Sequence, residues 1–405
     1  MAALLAVYTT LARFDFPVGE KFIRPMRPGA GDLVMPFNGA RALVLGVDPY
    51  HNDLRALDDP YRRDVEKQVV GGRVYRVAYL APHLLLDVPL VLASGGQLEP
   101  AARLWFALNL AFLAALVAVA WRLARRFTAG SAAEIVPLLG VALSVNVATS
   151  LGLDRGQSDL LTSLLSWGGV ALALSGWPAV ALALVASATV LKGYAALLLV
   201  VLLGASPTRR ALLRGLAGAG VAAVAWLAPV ASHVADGLVA ARARASEFEP
   251  IWYNHSFKNL AFELAPTLAE PGRIALTLLA ITSTALCAWQ SRRARAARTL
   301  WLTLASTCAL AAVIGWSGSS YEYNLVLVLP GALAASLGHA ALSRALGLDA
   351  PSHRALGTAL VFMTFLLFVG RFGSMYASPS AYGLAVLVAI CGTCALAALR
   401  RPADA

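Results

Sequence analysis

Residues 178–205 read PAVALALVASATVLKGYAALLLVVLLGA, an apolar run with Lys192 near its middle. It is either one long helix or a helical hairpin of two short spans, and the choice sets the sidedness of everything that follows. Charge parity decides it. Short basic clusters lie at Arg122/Arg125/Arg126, Arg209/Arg210/Arg214, Arg292/Arg293/Arg295/Arg298, Arg344/Arg354 and Arg400/Arg401. If each faces the cytoplasm by the positive-inside rule, an even number of spans separates every neighbouring pair. A hairpin at 178–205 satisfies this between Arg126 and Arg209, and every other interval closes with two spans.

A span needs roughly 20 apolar residues. Outside the hairpin, candidates fall at about 102–122, 134–150, 159–175, 211–231, 273–290, 299–315, 324–343, 355–371 and 381–399. Composition agrees: of 405 residues, 59% are hydrophobic and 14% charged, with mean hydropathy +0.69. No soluble core requires so apolar a chain. The net charge of +11 sits in short clusters between apolar stretches, which is a pattern of membrane orientation and not of nucleic-acid binding. The expected fold is an all-α, polytopic membrane bundle of about 12 spans, some short, in the plasma membrane.

Three regions are expected. Residues 1–12 form a first span, short or truncated. A cleaved signal peptide is disfavoured there, because no basic segment precedes the apolar stretch. Residues 13–101 form a long extracytoplasmic loop with interfacial helices, and residues 102–401 the helical bundle. Within the loop, residues 79–90 are apolar but interrupted by Pro82, Asp87 and Pro89, and read as an interfacial helix. The four cysteines all lie in apolar segments. Cys391 and Cys394 share one helix face with no second ligand pair nearby, which indicates helix packing and no disulfide framework.

Polar residues gather in the loops opposite the arginines. Asp32 follows a Pro/Gly-rich approach and precedes a helix expected over Leu33 to Leu45; it suits an N-cap, a base, or both. Asp48 precedes Pro49-Tyr50 and suits a turn. Leu153-Asp154-Arg155-Gly156-Gln157-Ser158-Asp159 joins two spans, either capping helix ends or placing Arg155 against a phosphate. Lys192 is a functional residue or a snorkelling one. Trp252 and Tyr253 fit an aromatic belt, but Asn254, His255, Lys258 and Asn259 beside them do not. Glu322 stands at a helix start, where a cap and a site are equally served. Among the histidines only His83, in the interfacial helix, carries a signal. No metal-ligand spacing, phosphate-binding loop or nucleophile elbow is present.

In this order, an Asp in a long first external loop, Gly46-Val47-Asp48-Pro49-Tyr50, Tyr79-Leu80-Ala81-Pro82, Gly156-Gln157-Ser158-Asp159, Lys192 before Tyr194, Asn254-His255-Ser256 and Tyr321-Glu322-Tyr323-Asn324 ahead of a Leu-Val-Leu-Val-Leu-Pro span resemble the C-type glycosyltransferases. Among these the chain is similar to the polyprenol-phosphate-mannose-dependent mannosyltransferases of glycosyltransferase family 87, from about Asp32 to Pro330. The resemblance implies an inverting transfer of a sugar, mannose first, from a polyprenyl-phosphate donor to a hydroxyl of a glycolipid or glycan on the extracytoplasmic side. It implies Asp32 as catalytic base. Lys192, Arg155, His255 and Lys258 would face the donor phosphate. Asp48, Tyr50, Tyr79, His83, Gln157, Asp159, Asn254, Glu322 and Tyr323 would line the substrates. No metal or soluble cofactor is implied, and the partners are the donor, the acceptor and the bilayer. The chain departs from the family at Tyr323-Asn324, where relatives show a histidine. A flippase for a lipid-linked sugar, a transferase using arabinose or glucose, and a structural membrane subunit stay open.

Overall fold

The computed structural model describes residues 31–50, 79–126, 140, 142–143, 149, 152–153, 156–246, 256–317, 322–368 and 379–399, with the backbone alone at 31–32, 244–246, 296, 322–323, 365, 368 and 379–380. The expected first span at 1–12, most of the one at 134–150, and the site candidates Arg155, Asn254 and His255 lie outside them. The described residues are helical, with no strand. Five helices are long and apolar enough to cross a membrane: Leu98–Ala124, Arg209–Ala243, Pro266–Arg293, Arg298–Trp316 and Ala381–Leu399. Large apolar side chains such as Val200, Val221 and Val224 stand exposed on the outside of the bundle, as lipid contact requires. The protein is a helical membrane protein.

Helices α1 (Gly31–Val44), α2 (Ala81–Ala93) and α3 (Leu98–Ala124) open the chain. They meet in a small core of Leu33, Val34, Phe37, Leu90, Val91 and Trp105. Asp32 lies within α1, which the structure describes from Gly31, and not at the expected cap before it. Helices α4 (Asp159–Leu174), α5 (Pro178–Lys192), α6 (Ala196–Gly204) and α7 (Arg209–Leu227) follow.

The run at 178–205 breaks into two helices, as the hairpin reading expects, and local chemistry explains the break. Pro178 starts α5, where its missing N–H costs nothing. Gly193, with φ 76°, ends it in a left-handed conformation that only glycine adopts without strain. Helices α5 and α7 then run parallel. A Cβ on Gly218 would stand 2.1 Å from the Ala179 carbonyl oxygen, and further along Trp226 Nε1 donates to Ser187 Oγ at 3.0 Å. Parallel neighbours require the chain between them to run back, and α6 does so. It ends where Arg298 Nη2 donates to the Ala205 carbonyl at 3.1 Å.

Helix α4 lies antiparallel to α5 and parallel to α3. Trp105 Nε1 donates to the Gly156 carbonyl at 2.8 Å, beside the start of α4. At the other end Arg126 donates to the Leu174 carbonyl at 3.0 Å and to Ser175 Oγ at 2.8 Å. After a 3-10 segment (Ala228–His233) come α8 (Val234–Ser246), α9 (Phe257–Leu264), α10 (Ala269–Arg293) and α11 (Arg298–Trp316). Helix α11 is the central one, buried along nearly its whole length. The cysteines pack as expected: all four are buried and free, and Cys287 Sγ lies 3.7 Å from the Cys391 carbonyl oxygen.

The span expected at 324–343 is not one regular helix. It is a 3-10 segment (Glu322–Leu327), then α12 (Leu329–Leu337) and α13 (His339–Leu346). Carbonyls released by the irregular start are recaptured, because Ser163 Oγ donates to Val326 O at 2.9 Å and Trp167 Nε1 to Leu327 O at 2.7 Å. Non-helical backbone buried among apolar side chains persists only with such partners. Helices α14 (Ala350–Phe368) and α15 (Pro379–Leu399) complete the bundle. Arg293 Nη1 donates to Leu399 O at 3.2 Å, so arginines from α3, α10 and α11 gather at one end. The 156–159 junction, Lys192, His233, Phe257 and Trp316 lie at the other.

Candidate functional site

At the end away from the arginines, Lys192 closes α5 and reaches the start of α4. Its Nζ donates to Asp159 Oδ2 at 2.6 Å and to Gln157 Oε1 at 2.8 Å. Asp159 is 1% exposed and Lys192 9%. A charge pair this enclosed persists because each partner compensates the other's desolvation. The intramembrane lysine therefore neither snorkels nor faces lipid. Asp159 offsets its charge, so Lys192 alone does not create a net positive pocket.

Beside it lies α2. At 13 residues, or about 20 Å, it is shorter than the roughly 30 Å hydrocarbon core. It packs on α1, α3, α5, α7 and α8. His83 Nδ1 donates to the Leu191 carbonyl at 3.3 Å, next to Lys192, and its ring lies 4.6 Å from that of Tyr79. Burial, reinforced by the Lys192 charge, pushes His83 down to about 3. His83 is thus a neutral imidazole at any physiological pH and supplies no cation for a phosphate.

One turn further along α2, both Asp87 oxygens are buried with no hydrogen-bond partner among the described residues. Burial pushes this carboxyl up to about 8, so it holds its proton at neutral pH. The sequence carried the hint in the i, i+4 spacing of His83 and Asp87.

Tyr50 ties the chain after α1 to the segment before α2, its hydroxyl donating to the Tyr79 carbonyl at 2.8 Å. Burial, then the charges of Asp236 and Asp48, raises its phenol above the usual range. Asp48 forms the expected turn, accepting from the Tyr50 N–H at 2.8 Å. The same carboxylate lies 4.0 Å from His233 Nδ1. Asp48, His233 and Asp236 each direct one ligand atom into a group spanning at most 4.8 Å. Neither His233 nor Asp236 stands out in the sequence. Their i, i+3 spacing is short, and the partner carboxylate is far away in the chain.

The Lys258 group is separate. Lys258 pairs with Glu270, which also bonds Arg273 at 2.7 Å, and Arg273 stacks over Trp316 at 4.2 Å. Asn259 Nδ2 donates to Glu263 Oε1 at 3.0 Å. The fold thus gathers Asp48, Tyr50, Tyr79, His83, Gln157, Asp159 and Lys192 around α2, with Asp32 on the adjoining helix. Lys258 is held by α10 residues instead. Asn324 is buried in the 3-10 segment.

A cavity of about 360 Å³ lies at the opposite end, lined by Arg122, Arg125, Arg126, Leu172, Ser175 and Trp177. It contains no carboxylate, imidazole or thiol for acid–base or nucleophilic work, so the α2 cluster is the better candidate site. The chain matches no family model, no curated protein and no solved structure.

Proposed function

We propose that the protein is an inverting, polyprenyl-phosphate-sugar-dependent glycosyltransferase of about 12 spans, with the α2 end outside the cytoplasm and mannose as the first sugar to test. The observation that supports it most is the meeting of Lys192, Gln157, Asp159 and His83 against α2, beside the helix that carries Asp32. Residues from separate stretches of the chain converge at the end opposite the arginines, which positive-inside bias assigns to the cytoplasm.

In this reading Asp32 takes the proton of the acceptor hydroxyl. The acceptor oxygen bonds to the anomeric carbon as the bond from that carbon to the phosphate oxygen breaks, inverting the centre. The leaving polyprenyl phosphate carries the released electron pair and needs donors and positive charge. Lys192 contributes N–H groups positioned by Asp159 and Gln157. Because Asp159 offsets its charge, net positive charge has to come from other groups: Lys258 and Arg273 share the single carboxylate of Glu270 and so keep one net charge, and Arg155, with His255 when protonated, would add to it. The purified protein, incubated with labelled polyprenyl-phosphate-mannose and an envelope glycolipid extract, is expected to move label to the glycolipid. Absence of transfer from mannose, arabinose and glucose carriers alike would end this reading.

A flippase for a lipid-linked sugar is favoured by a separate observation, the two discontinuous helices broken at Gly193 and at Glu322–Leu327. In sealed vesicles a flippase exposes the labelled lipid on the far leaflet without any new glycosidic bond.

A further inference from the structure

We propose that Asp48, His233 and Asp236 form a binding site for a divalent transition-metal ion that clasps the chain after α1 to the junction between α7 and α8. The proposal is independent of the transferase reading.

The three ligand atoms come from two distant stretches of chain and lie within 4.8 Å of one another. Bonds of about 2.0–2.2 Å from a first-row ion place opposite ligands roughly 4 Å apart. The group needs to contract by less than about 1 Å, which side-chain rotation supplies. Its chemistry is mixed: one imidazole nitrogen with two carboxylates suits manganese or zinc better than the all-oxygen ions. Asp48 is 39% and His233 23% exposed, which leaves coordination positions open to water or to a further ligand.

The surroundings are built to hold these groups. Asp48 is fixed by the Tyr50 N–H, and Tyr50 is anchored on Tyr79 O. Next to Asp236, Gly237 lies so close that a Cβ there would stand 2.7 Å from Ala81 N and 2.8 Å from the Tyr50 hydroxyl. His233 ends the 3-10 segment and Asp236 lies in the first turn of α8, so the two are one turn apart. Such partners orient metal ligands and tune them. An ion here would join the helix of Asp32 to the bundle through the α1 exit loop. The alternative is that hydrogen bonds and ion pairs hold these side chains together without a metal.

The full chain in phosphatidylcholine nanodiscs, titrated with Mn²⁺ and followed by electron paramagnetic resonance, separates the two. One bound Mn²⁺ per chain is expected, with an imidazole nitrogen coupling in pulsed spectra and displacement by Zn²⁺. His233→Ala should abolish that coupling and weaken binding at least ~10-fold, and Asp236→Asn should weaken it similarly. His233→Gln, nearly isosteric, carries the test if the alanine variant aggregates. No saturable Mn²⁺ binding, or binding that keeps its nitrogen coupling in the His233 variants, would overturn the proposal.

Discussion

Replacing Lys192 by methionine takes a buried carboxylate's charge partner away. Asp159 is 1% exposed and loses its bonded ammonium, while Gln157 loses the donor to its carbonyl oxygen. Removing one partner of a buried pair costs about 3–5 kcal/mol, and the further contacts of Asp159 put the expected cost at the lower end of that range. Asp159→Leu alone should cost less, because Lys192 at 9% exposure retains some access to solvent. The double variant Lys192→Met/Asp159→Leu removes both charges and should return to within about 1 kcal/mol of the wild type. The coupling energy in the cycle is then at least ~2 kcal/mol, well beyond the roughly 0.5 kcal/mol scatter of independent sites. Reversible unfolding in mixed micelles, followed by far-ultraviolet circular dichroism, measures all four proteins. Additive single effects, or a Lys192→Met protein of wild-type stability, would refute the buried pair. The cycle also governs how donor binding is read. Lys192→Ala, a direct test of a phosphate contact by sequence reasoning, perturbs the fold as well, so the double variant is the control against which lost donor affinity is compared.

Gly331→Ala should destabilise the bundle by about 1–3 kcal/mol, since the new methyl would stand 2.0 Å from Thr307 Oγ1 and 2.5 Å from the Trp167 ring; unchanged stability in the same micelle assay would show that α11, α12 and α4 do not meet there. Cysteines introduced at Val239 and Arg295 should label from opposite sides with an impermeant maleimide, the native thiols being buried. Labelling of both from one side would reverse the sidedness.

The helical bundle was legible because lipid demands long apolar helices, and parity of arginines pointed to a hairpin at 178–205, where the chain does break into α5 and α6. What escaped sequence reasoning depends on distance in the chain. The partner of Lys192 is 33 residues away, so sequence reasoning left the lysine either functional or snorkelling, although Gln157 and Asp159 were already candidates. The break at 322–327 escaped because its carbonyls are satisfied by Ser163 and Trp167, which nothing in the local pattern announces. Asp87 was read as an interruption of an apolar helix, and only its enclosure shows a carboxyl that keeps its proton. His233 joins Asp48 and Asp236 through a fold contact with no spacing signature.

The central claim is that a carboxylate on α1 activates an acceptor hydroxyl, and turnover of Asp32→Asn beside Asp48→Asn tests it most directly. The amide keeps the size and hydrogen-bonding capacity of Asp32 but not its basicity, so stability and donor affinity should hold while the rate of sugar transfer falls at least ~10²-fold. Asp48→Asn, which retains a turn-forming side chain, should keep a rate within about tenfold of the wild type. A near-normal rate in Asp32→Asn with an inactive Asp48→Asn enzyme would move the base to Asp48, and near-normal rates in both would contradict the mechanism.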